Sequence, residues 1–549
     1  MSRVDSEQRR KLEQALGLHP LIAHLLLQRG VEDPVSGYRF LNPSLDHLYP
    51  PESMADLELA GELIKGAISN GREILIYGDY DVDGITGSVL LYELVRVLGG
   101  KADVFIPDRN RHGYGLTEAG IKEVLERFSP DLLITVDCGI RAVSEVNWLN
   151  EQGIETIITD HHLPGDVLPP ARAILNPKRP DCGYPYKDLS GVGVAYTLAR
   201  YLLNSSEDFL DLTALGTVAD VVPLLGENRV IVHYGMPKIE KGQRAGIKAL
   251  MECARLSKVS VRSIGFVLGP RLNSAGRVST AIDSFNLLTC PDYNRAKELA
   301  EELNQHNRYR QEIQEEIVSM AEEVAQEQVE RGRKVLVVWG RDWHSGVVGI
   351  VASRLVDKFG FPAIVIGFDG PVGKGSARSI DGFDITSAMA MCSEHLLEFG
   401  GHKLAGGLSI REVDVEAFAD SINRIADSLI TDRRPVLRLD GRLRLDMLSF
   451  SLIEQMQSLG PFGEGNPMPT FLFPNLSLRS EVKQMARDTI KFWVEGNGVS
   501  IPIVGFRMGW GKEEIESAKV LDIVARPTIS AFNGWEEAQL ELVDWRVRE

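Results

Sequence analysis

The chain of 549 residues has few cysteines and no long hydrophobic run. Its five cysteines are odd in number, scattered and never spaced as C-x-x-C, which disfavours a disulfide framework or a zinc knuckle. No run of about 18 or more apolar residues is present, so we expect no transmembrane helix. The opening MSRVDSEQRRKLEQ is polar and lacks the apolar core of a signal peptide. We therefore predict a cytoplasmic protein with reduced thiols.

The chain is also short of positive charge. It carries 60 lysines and arginines against 77 aspartates and glutamates, a net charge of −17. That balance alone argues against a nucleic-acid-binding protein, because contacts with phosphate need lysine and arginine. An enzyme that collects metal-binding carboxylates in one cleft can nevertheless be acidic overall and still carry a basic groove. The net charge is therefore weak evidence against a nucleic-acid substrate.

Short apolar runs alternate with amphipathic stretches from about residue 73. This alternation predicts an α/β domain with a parallel, doubly wound sheet. Amphipathic helices are predicted at Ser88–Leu98 and Leu116–Phe128. The predicted strands are Ile74–Gly78, Ala102–Pro107, Asp131–Asp137, Ile154–Asp160 and Ala171–Asn176.

The rest of the chain predicts further domains, since its length allows three or four. A charged segment near Asp292–Arg333 has one apolar stripe and predicts a connector helix, with a coiled-coil dimer as the competing interpretation. A second, smaller α/β unit begins at Lys334, with a further strand at Ala363–Phe368, and Arg433–Pro435 reads as a linker. The predicted domains are an N-terminal helical segment (1–70), the first α/β domain (71–230), a helical region with the connector (231–333), the second α/β domain (334–432) and an OB-like β-barrel (433–549).

Three acidic residues follow the first predicted strand directly. Asp79, Asp81 and Asp83 alternate along DYDVDG. Their mutual repulsion needs an offsetting positive charge, and a divalent cation supplies one. A solvated acidic turn is the alternative, and this motif by itself leaves both open.

Two more strands deliver similar side chains, and ligands of parallel sheets bind beyond the carboxyl ends of the strands. Asp137 ends the third predicted strand, and His161 and His162 follow the fourth. Asp220 lies in the apolar stretch LGTVADVVPL, where it is either a metal ligand or a capping or internally paired aspartate. Oxygen-rich sites with imidazole suit Mn²⁺ or Mg²⁺ better than structural zinc, and two ions would stabilise a phosphoryl transition state.

Taken in order, DYDVDG, VDCG, DHH and Asp220 resemble the four motifs of the DHH phosphoesterase superfamily. Within it, IPDRNRHGYGL, PRLNSAGR, WHSGVVGIVASRL, GKGSARS, FGGHKLAGG and LGPFGEGNPMPTF are similar to segments of the RecJ family. These segments cover most of the chain from about residue 70 to 475. The resemblance implies a parallel-sheet DHH domain, a long helical connector, a DHH-associated domain that binds substrate and a C-terminal OB-fold that binds nucleic acid.

The resemblance also implies roles at the acidic strand ends. Asp160 would orient an imidazole, and His162 would face the scissile phosphate or donate to a carboxylate. Pyrophosphatase-type relatives have a histidine shortly before the paired acids, whereas this chain has Tyr77 and Asp79 there, which leaves the ligands of the first metal open. The implied metal ligands are Asp81, Asp83, Asp137 (bridging), His161 and Asp220, with Asp79 as an additional ligand or a neighbour of the ligands.

Substrate-binding residues are implied on both α/β units. Gly373–Arg378 has the small residues and donors of an anion-cradling loop, with an ordinary glycine-rich turn as the alternative. His402 would hold the substrate backbone, and Tyr114 either stacks on a base or packs within its turn. The family resemblance implies a pocket for the 5′-terminal phosphate formed by Arg109, Arg277, Ser376 and Arg378.

The barrel has a cluster of basic and aromatic residues. Charge that follows a phosphate backbone and rings that stack on bases are typical of a single-strand groove. Alternatively, the two aromatic rings fill the barrel core and the charges are solvated. The residues concerned are Arg479, Lys483, Arg487, Lys491, Phe492 and Trp493.

Together these features predict a single-stranded-DNA-specific 5′→3′ exonuclease of DNA recombination and repair, which releases 5′-mononucleotides by two-metal hydrolysis with Mn²⁺ or Mg²⁺. The resemblance further implies a monomer that works with single-strand-binding protein and a RecQ-type helicase. One alternative is a nanoRNA or cyclic-dinucleotide phosphodiesterase, although such relatives are usually shorter and lack the barrel. The other is a non-catalytic DHH-like DNA-binding scaffold, which would be expected to lose metal carboxylates.

Overall fold

The structure is a computed structural model that describes residues 5–109, 111–205, 207–430, 436–532 and 535–548. Within these residues the chain forms two five-stranded sheets and one seven-stranded sheet. The predicted linker at Arg433–Pro435 lies outside the described residues. Among the helices of the described ranges, none has the length and apolar character needed to cross a membrane.

Three short helices open the chain: α1 (Ser6–Leu16), α2 (Pro20–Gln28) and α3 (Pro34–Leu41). Each begins at a side chain that accepts a backbone N–H of the first turn, which stabilises the helix start. Their buried apolar residues are not part of the core of the first sheet. They join the core of the C-terminal barrel, some 400 residues away in sequence.

The first sheet is entirely parallel, with strand order β2-β1-β3-β4-β5. Every residue of β1 and β3 is buried, as expected where helices cover both faces of a parallel sheet. The five predicted strands and both predicted helices are confirmed, most of them shifted by one or two residues. The elements are α4 (Leu57–Ser69), β1 (Ile74–Gly78), α5 (Val82–Val97), β2 (Ala102–Phe105), α6 (Glu118–Arg127), β3 (Leu132–Val136), α7 (Val143–Glu151), β4 (Glu155–Thr159) and β5 (Ala173–Leu175).

A helical region follows and shares one hydrophobic core with the first sheet, from Leu48 to Leu303. The predicted connector is a single helix of 38 residues, α15. Its C-terminal half contributes Ile317 and Ala321 to the core beneath the second sheet, whereas Met320 and Val324 of the apolar stripe are exposed. The helices are α8 (Gly191–Leu203), α9 (Leu210–Ala219), α10 (Gly226–Lys241), α11 (Ala245–Cys253), α12 (Val261–Ser263), α13 (Gly269–Val278), α14 (Ile282–Thr289) and α15 (Tyr293–Glu330), with a π-helical turn at Ile264–Leu268.

The second sheet is mixed, with order β6-β7-β8-β10-β9 and only β6 and β7 parallel. The prediction of an anion-cradling loop at Gly373–Arg378 is wrong. This segment belongs to strand β8, whose backbone pairs with β7 on one side and β10 on the other. The elements are β6 (Leu336–Arg341), α16 (Val348–Phe359), β7 (Ala363–Phe368), β8 (Val372–Arg378), α17 (Ile385–Ala390), β9 (Glu398–His402), β10 (Ala405–Arg411) and α18 (Val415–Leu429).

The C-terminal domain is a β-barrel with strand order β11-β12-β16-β17-β15-β14-β13. An additional pairing of β12 with β14 closes the sheet on itself, which confirms the predicted OB-like barrel. Its elements are β11 (Gly441–Arg442), α19 (Phe450–Gln457), β12 (Phe471–Leu478), β13 (Lys483–Met485), β14 (Thr489–Gly496), β15 (Val499–Gly505), α20 (Lys512–Ser517), β16 (Val520–Phe532) and β17 (Trp535–Arg548).

Candidate active site

Acidic and imidazole side chains meet at the carboxyl edge of the first sheet, as the strand pattern predicts. Ligand atoms of three groups lie within 4.8 Å of one another inside each group. Asp137 and His161 each belong to two of these groups, so the groups form one continuous cluster. The groups are Asp137 with His161 and His162, Asp83 with His161 and Asp220, and Asp79 with Asp81 and Asp137.

Several buried polar atoms of this cluster have no hydrogen-bond partner among the described residues. They are Asp79 Oδ1, Asp137 Oδ1, Asp220 Oδ2 and both ring nitrogens of His161. His161 Nε2 lies 3.1 Å from Asp137 Oδ1 and 3.6 Å from Asp220 Oδ2, but without hydrogen-bond geometry. Buried polar atoms in proteins are nearly always paired. A divalent cation would give these atoms a partner, and the donor set of carboxylates and imidazole fits Mn²⁺ or Mg²⁺.

Asp81 and Asp83 are held by the starts of two helices. Asp81 is the N-cap of α5, where its Oδ1 accepts the N–H groups of Asp83 and Gly84. Both oxygens of Asp83 accept backbone N–H groups at the start of α8, from Gly191 at 2.6 Å and Val192 at 2.8 Å. The positive ends of two helix dipoles therefore stabilise these two carboxylates.

The cluster is electrostatically unfavourable without a cation. Burial raises the pKa of Asp79, Asp137 and Asp220 well above the usual range, and the neighbouring carboxylates raise it further. Burial and then Asp81 raise the pKa of Asp83 to about 7. Divalent ions would relieve this repulsion, because they supply the missing positive charge.

The pKa values of the two histidines are shifted in opposite directions. Burial and then His162 lower the pKa of His161 to about 3, so its imidazole is neutral and able to bind metal. His162 Nδ1 lies 2.8 Å from Asp160 Oδ1; burial opposes the charged form, but the carboxylate outweighs it and raises the pKa of His162. Asp160 also accepts the N–H groups of Ile140, His161 and His162, so it orients an imidazole as expected.

Two backbone features shape this edge, and the sequence did not predict either of them as part of the site. Asp137 has φ +62°, a left-handed conformation that aspartate and asparagine tolerate better than most residues. A Cβ on Gly191 would lie 2.6 Å from Asp137 Cβ, so only glycine fits there. The motif Gly191-Val192-Gly193 is too short for a dinucleotide fingerprint, but Ser190, the N-cap of α8, was an available signal that a helix starts there.

A second cluster consists of arginines from both α/β units and from α13 of the helical region between them. Burial, followed by repulsion from Arg109 and Arg310, lowers the pKa of Arg277 to about 10. Burial and Arg109 also lower the pKa of Arg378, whose Nη1 donates to Ser376 Oγ at 2.9 Å. Among the described residues, Arg109, Arg277 and Arg378 form no ion pair with a carboxylate. Half-buried guanidinium groups without carboxylate partners make a site for an anion such as phosphate.

The two clusters are connected through Tyr80, which lies between Asp79 and Asp81 in sequence. The guanidinium of Arg109 lies over the ring of Tyr80, 5.6 Å from its centroid. A Cβ on Gly276, next to Arg277, would lie 2.9 Å from the carbonyl oxygen of Tyr80. The arginine cluster therefore adjoins the acidic edge.

A cavity of about 460 Å³ lies beside Arg277, between α13, α15, α16 and a barrel loop. It is lined by Asn273, Arg310, Arg354 and Arg507, among others. Asn273 Oδ1 is buried without a hydrogen-bond partner within the described part of the chain. Sequence reasoning missed this cavity, because its walls come from four distant segments.

The remaining predicted substrate residues are less closely grouped. His402 is exposed at the end of β9 and belongs to neither cluster. Of the two alternatives for Phe492, the structure supports packing in the barrel, because its ring is buried in the barrel core. Trp493 keeps 37% of its surface exposed. Lys483 and Lys491 are paired across strands β13 and β14, and Arg479 forms an ion pair with Glu495 at 2.5 Å.

Family models match three parts of the chain. The DHH family, N-terminal domain, matches residues 73–217, the DHHA1 domain matches residues 332–428, and the RecJ OB domain matches residues 439–544. The three matches coincide with the parallel sheet, the mixed sheet and the barrel.

Curated relatives and solved structures match along the full length. The chain is 38% identical to the single-stranded-DNA-specific exonuclease RecJ of Bacillus subtilis (strain 168), over 100% of this chain and 71% of the relative. It is 34% identical to that of Escherichia coli (strain K12), over 92% of this chain and 93% of the relative. A crystal structure of RecJ from Thermus thermophilus in complex with Mn²⁺ has a TM-score of 0.84 and 29% identity, and the match covers 100% of this chain and 79% of that one. The structure in complex with Mg²⁺ has a TM-score of 0.79 and 27% identity, and the match covers 100% of this chain and 78% of that one.

Proposed function

The chain belongs to the RecJ family of metal-dependent, single-stranded-DNA-specific exonucleases, and we propose that it degrades single-stranded DNA from the 5′ end, releasing 5′-mononucleotides. The observation that supports this polarity is the arginine cluster beside the acidic edge, which has no carboxylate partner among the described residues. A terminal phosphate held by the arginines would bring the first phosphodiester bond to the acidic edge.

The metal site is assigned to the acidic edge. Its buried unpaired oxygens and the neutral imidazole of His161 fit divalent ions. When bound, Mn²⁺ or Mg²⁺ would activate a water molecule and offset the charge of the phosphate. The proposed ligands are Asp79, Asp81, Asp83, Asp137, His161 and Asp220.

This chain's own residues orient the reacting groups. The N–H groups of α5 and α8 fix the carboxylates of Asp81 and Asp83, so these ligands are in place before substrate arrives. Asp160 fixes His162, which we assign to the scissile phosphate. Because Asp160 holds Nδ1, Nε2 is the ring nitrogen available to the phosphate.

Substrate binding is assigned to both α/β units and the barrel. Arg109, Arg277, Ser376 and Arg378 would bind the 5′-terminal phosphate, because guanidinium donates two parallel hydrogen bonds to it. His402 would contact the backbone further along the strand, and the barrel would contribute affinity. A monomeric state, a cytoplasmic location and action with single-strand-binding protein and a RecQ-type helicase stay predictions from the resemblance.

The two alternative functions have less support. All the carboxylates that a non-catalytic scaffold would be expected to lose are present and clustered. The match to exonucleases extends over the barrel, which smaller-substrate phosphodiesterases usually lack.

End recognition is tested with Arg378→Ala on 5′-phosphorylated and 5′-hydroxyl oligonucleotides of the same sequence. The variant should lose at least about tenfold in kcat/KM on the phosphorylated substrate, as expected for a charged hydrogen bond. It should lose much less on the hydroxyl substrate. Arg424→Ala, on the far side of the second sheet, is the matched control and should behave as the wild type. Equal losses on both substrates would mean that Arg378 binds the backbone in general.

A further inference from the structure

The loop between β2 and α6 presents one aromatic side chain to the active site. His112 braces the loop from within: its Nδ1 accepts the N–H of Asp108, and its Nε2 lies 2.9 Å from Glu123. The hydroxyl of Tyr77 donates to the carbonyl of Gly115 at 3.1 Å. Tyr114 therefore lies between two positions of the loop that hydrogen bonds fix, His112 and Gly115.

The hydroxyl of Tyr114 rests on the imidazole of His162. The phenol oxygen is 3.0 Å from Nε2 and 3.5 Å from Nδ1, and the two ring planes meet at 77°. An oxygen on the in-plane axis of Nε2 would lie on the far side of the ring from Nδ1, and could not be so close to both nitrogens. The hydroxyl is therefore over the face of the imidazole.

His162 is consequently held in three directions, since the ring of His161 also packs against it with centroids 4.4 Å apart. Asp160 fixes its Nδ1 edge and Tyr114 covers one face near Nε2, while the in-plane direction of Nε2 is left for another partner. A histidine fixed only at Nδ1 could still tilt about that hydrogen bond. The phenol restricts this tilt, because it contacts the ring beside the other nitrogen.

The same loop carries Arg109, whose guanidinium stacks on Tyr80. Tyr80 in turn packs edge-to-face against Tyr114, with ring centroids 6.4 Å apart. Contacts therefore run without interruption from the arginine cluster to His162, through Tyr80 and Tyr114.

We propose that Tyr114 is a positioning residue whose hydroxyl holds the imidazole of His162 toward the scissile phosphate. Its contact with Tyr80 aligns His162 with the terminal-phosphate site at Arg109. This inference rests on the proposed function, in which His162 contacts the scissile phosphate. It differs from base stacking by the aromatic ring, because it depends on the hydroxyl. Although 54% of the surface of Tyr114 is exposed, its ring already has Tyr80 and His162 as neighbours.

The test compares Tyr114→Phe and Tyr114→Leu with the wild type on 5′-phosphorylated single-stranded oligonucleotides with Mn²⁺. Tyr114→Phe keeps the ring and removes only the hydroxyl. It should lower kcat about three- to tenfold, an effect as large as that of one lost hydrogen bond, because the imidazole is then free to tilt, with KM within about twofold of the wild type. Tyr114→Leu should lower kcat at least as much. Both variants should bind Mn²⁺ like the wild type in calorimetry.

Tyr38→Phe, an exposed tyrosine on α3, is the matched control and should have wild-type kcat and KM. Wild-type kcat in Tyr114→Phe, with a raised KM only in Tyr114→Leu, would overturn the positioning role in favour of base stacking. Altered Mn²⁺ binding in Tyr114→Phe would also overturn it, since the hydroxyl would then support the metal ligands. If the wild type itself releases no nucleotides, the proposed function fails instead.

Discussion

Asp137 is the one residue among the described metal-capable groups that combines three properties. It is buried, it belongs to two of the metal-capable groups, and its backbone is left-handed with φ +62°. The motif VDCG predicted a metal-binding aspartate, but neither the left-handed backbone nor the need for Gly191 beside it was predictable. Both depend on the packing of α8 against β3, which brings together residues more than 50 positions apart.

We expect Asp137→Asn to separate stability from activity. Asparagine tolerates the left-handed backbone, so the fold should survive. Hydrolysis should fall at least about a thousandfold, and Mn²⁺, which should raise the Tm of the wild type, should no longer raise that of the variant.

The sign of the stability change follows from the raised pKa of Asp137. A carboxyl group whose pKa is higher in the native than in the unfolded protein contributes stability at pH values below its unfolded pKa, about 3.9. This contribution is lost as the pH rises through the native pKa. Asparagine cannot ionise, so metal-free Asp137→Asn should melt above the metal-free wild type at pH 8 in calorimetry. A lower Tm for the variant, or near-normal turnover with Mn²⁺, would contradict the assignment.

At the scale of elements, the parallel sheet was predictable because its strands are continuous apolar runs separated by amphipathic helices. Strand β8 was not, because glycine and charged residues are rare in strands. Gly373 and Gly375 are required by side chains of the neighbouring strands: a Cβ on Gly373 would lie 2.6 Å from the ring of Phe368 on β7, and one on Gly375 would lie 3.0 Å from Leu408 on β10. The pattern GKGSAR therefore reflects packing between strands.

The barrel strands β16 and β17 depend on one buried carboxylate. Asp522 is 2% exposed and accepts hydrogen bonds from Arg546, Arg548 and the N–H of Asn475. Burial opposes ionisation, but these donors outweigh it and lower the pKa of Asp522. Asp522→Asn should therefore reduce the free energy of unfolding by about 1–3 kcal/mol at pH 7.

This loss should depend on pH in a defined direction. A lowered native pKa gives stability that is present above the unfolded pKa, about 3.9, and is lost as pH falls through the native value. In urea denaturation, the difference between wild type and Asp522→Asn should be constant from pH 8 to 6 and shrink below about pH 4. A difference that grows in acid would show that the carboxylate is not the stabilising species.

At the scale of the whole molecule, the two ends of the chain fold together. Leu12, Ile22 and Phe40 of the N-terminal helices are in one core with the barrel. Arg229 of α10 donates to the carbonyls of Phe40 and Leu459, and so joins both ends to the catalytic domain. The sequence predicted helices at one end and a barrel at the other, but residues so far apart carry no local signal of pairing.

Truncation should show this pairing. Removing the barrel after residue 430 leaves the apolar faces of α1–α3 exposed, so the protein 1–430 should aggregate or melt well below the protein 44–430. The protein 44–430 should bind Mn²⁺ and hydrolyse DNA with weaker substrate binding and a shallower salt dependence, because fewer phosphates are neutralised. Equal stability of the two truncated proteins would contradict the shared core. Unchanged affinity and salt slope would show that the barrel does not bind DNA.

The most direct test of the central claim follows the product of one oligonucleotide labelled in turn at each end, as a single strand and as a blunt duplex. With Mn²⁺, the single strand labelled at the 5′ end should release labelled mononucleotide at once, whereas the 3′-labelled strand should shorten stepwise. The duplex should persist, and chelation of the metal should stop both reactions. Immediate loss of the 3′ label, equal digestion of the duplex, or digestion with chelator present would contradict a metal-dependent nuclease that starts at the 5′ end of single-stranded DNA.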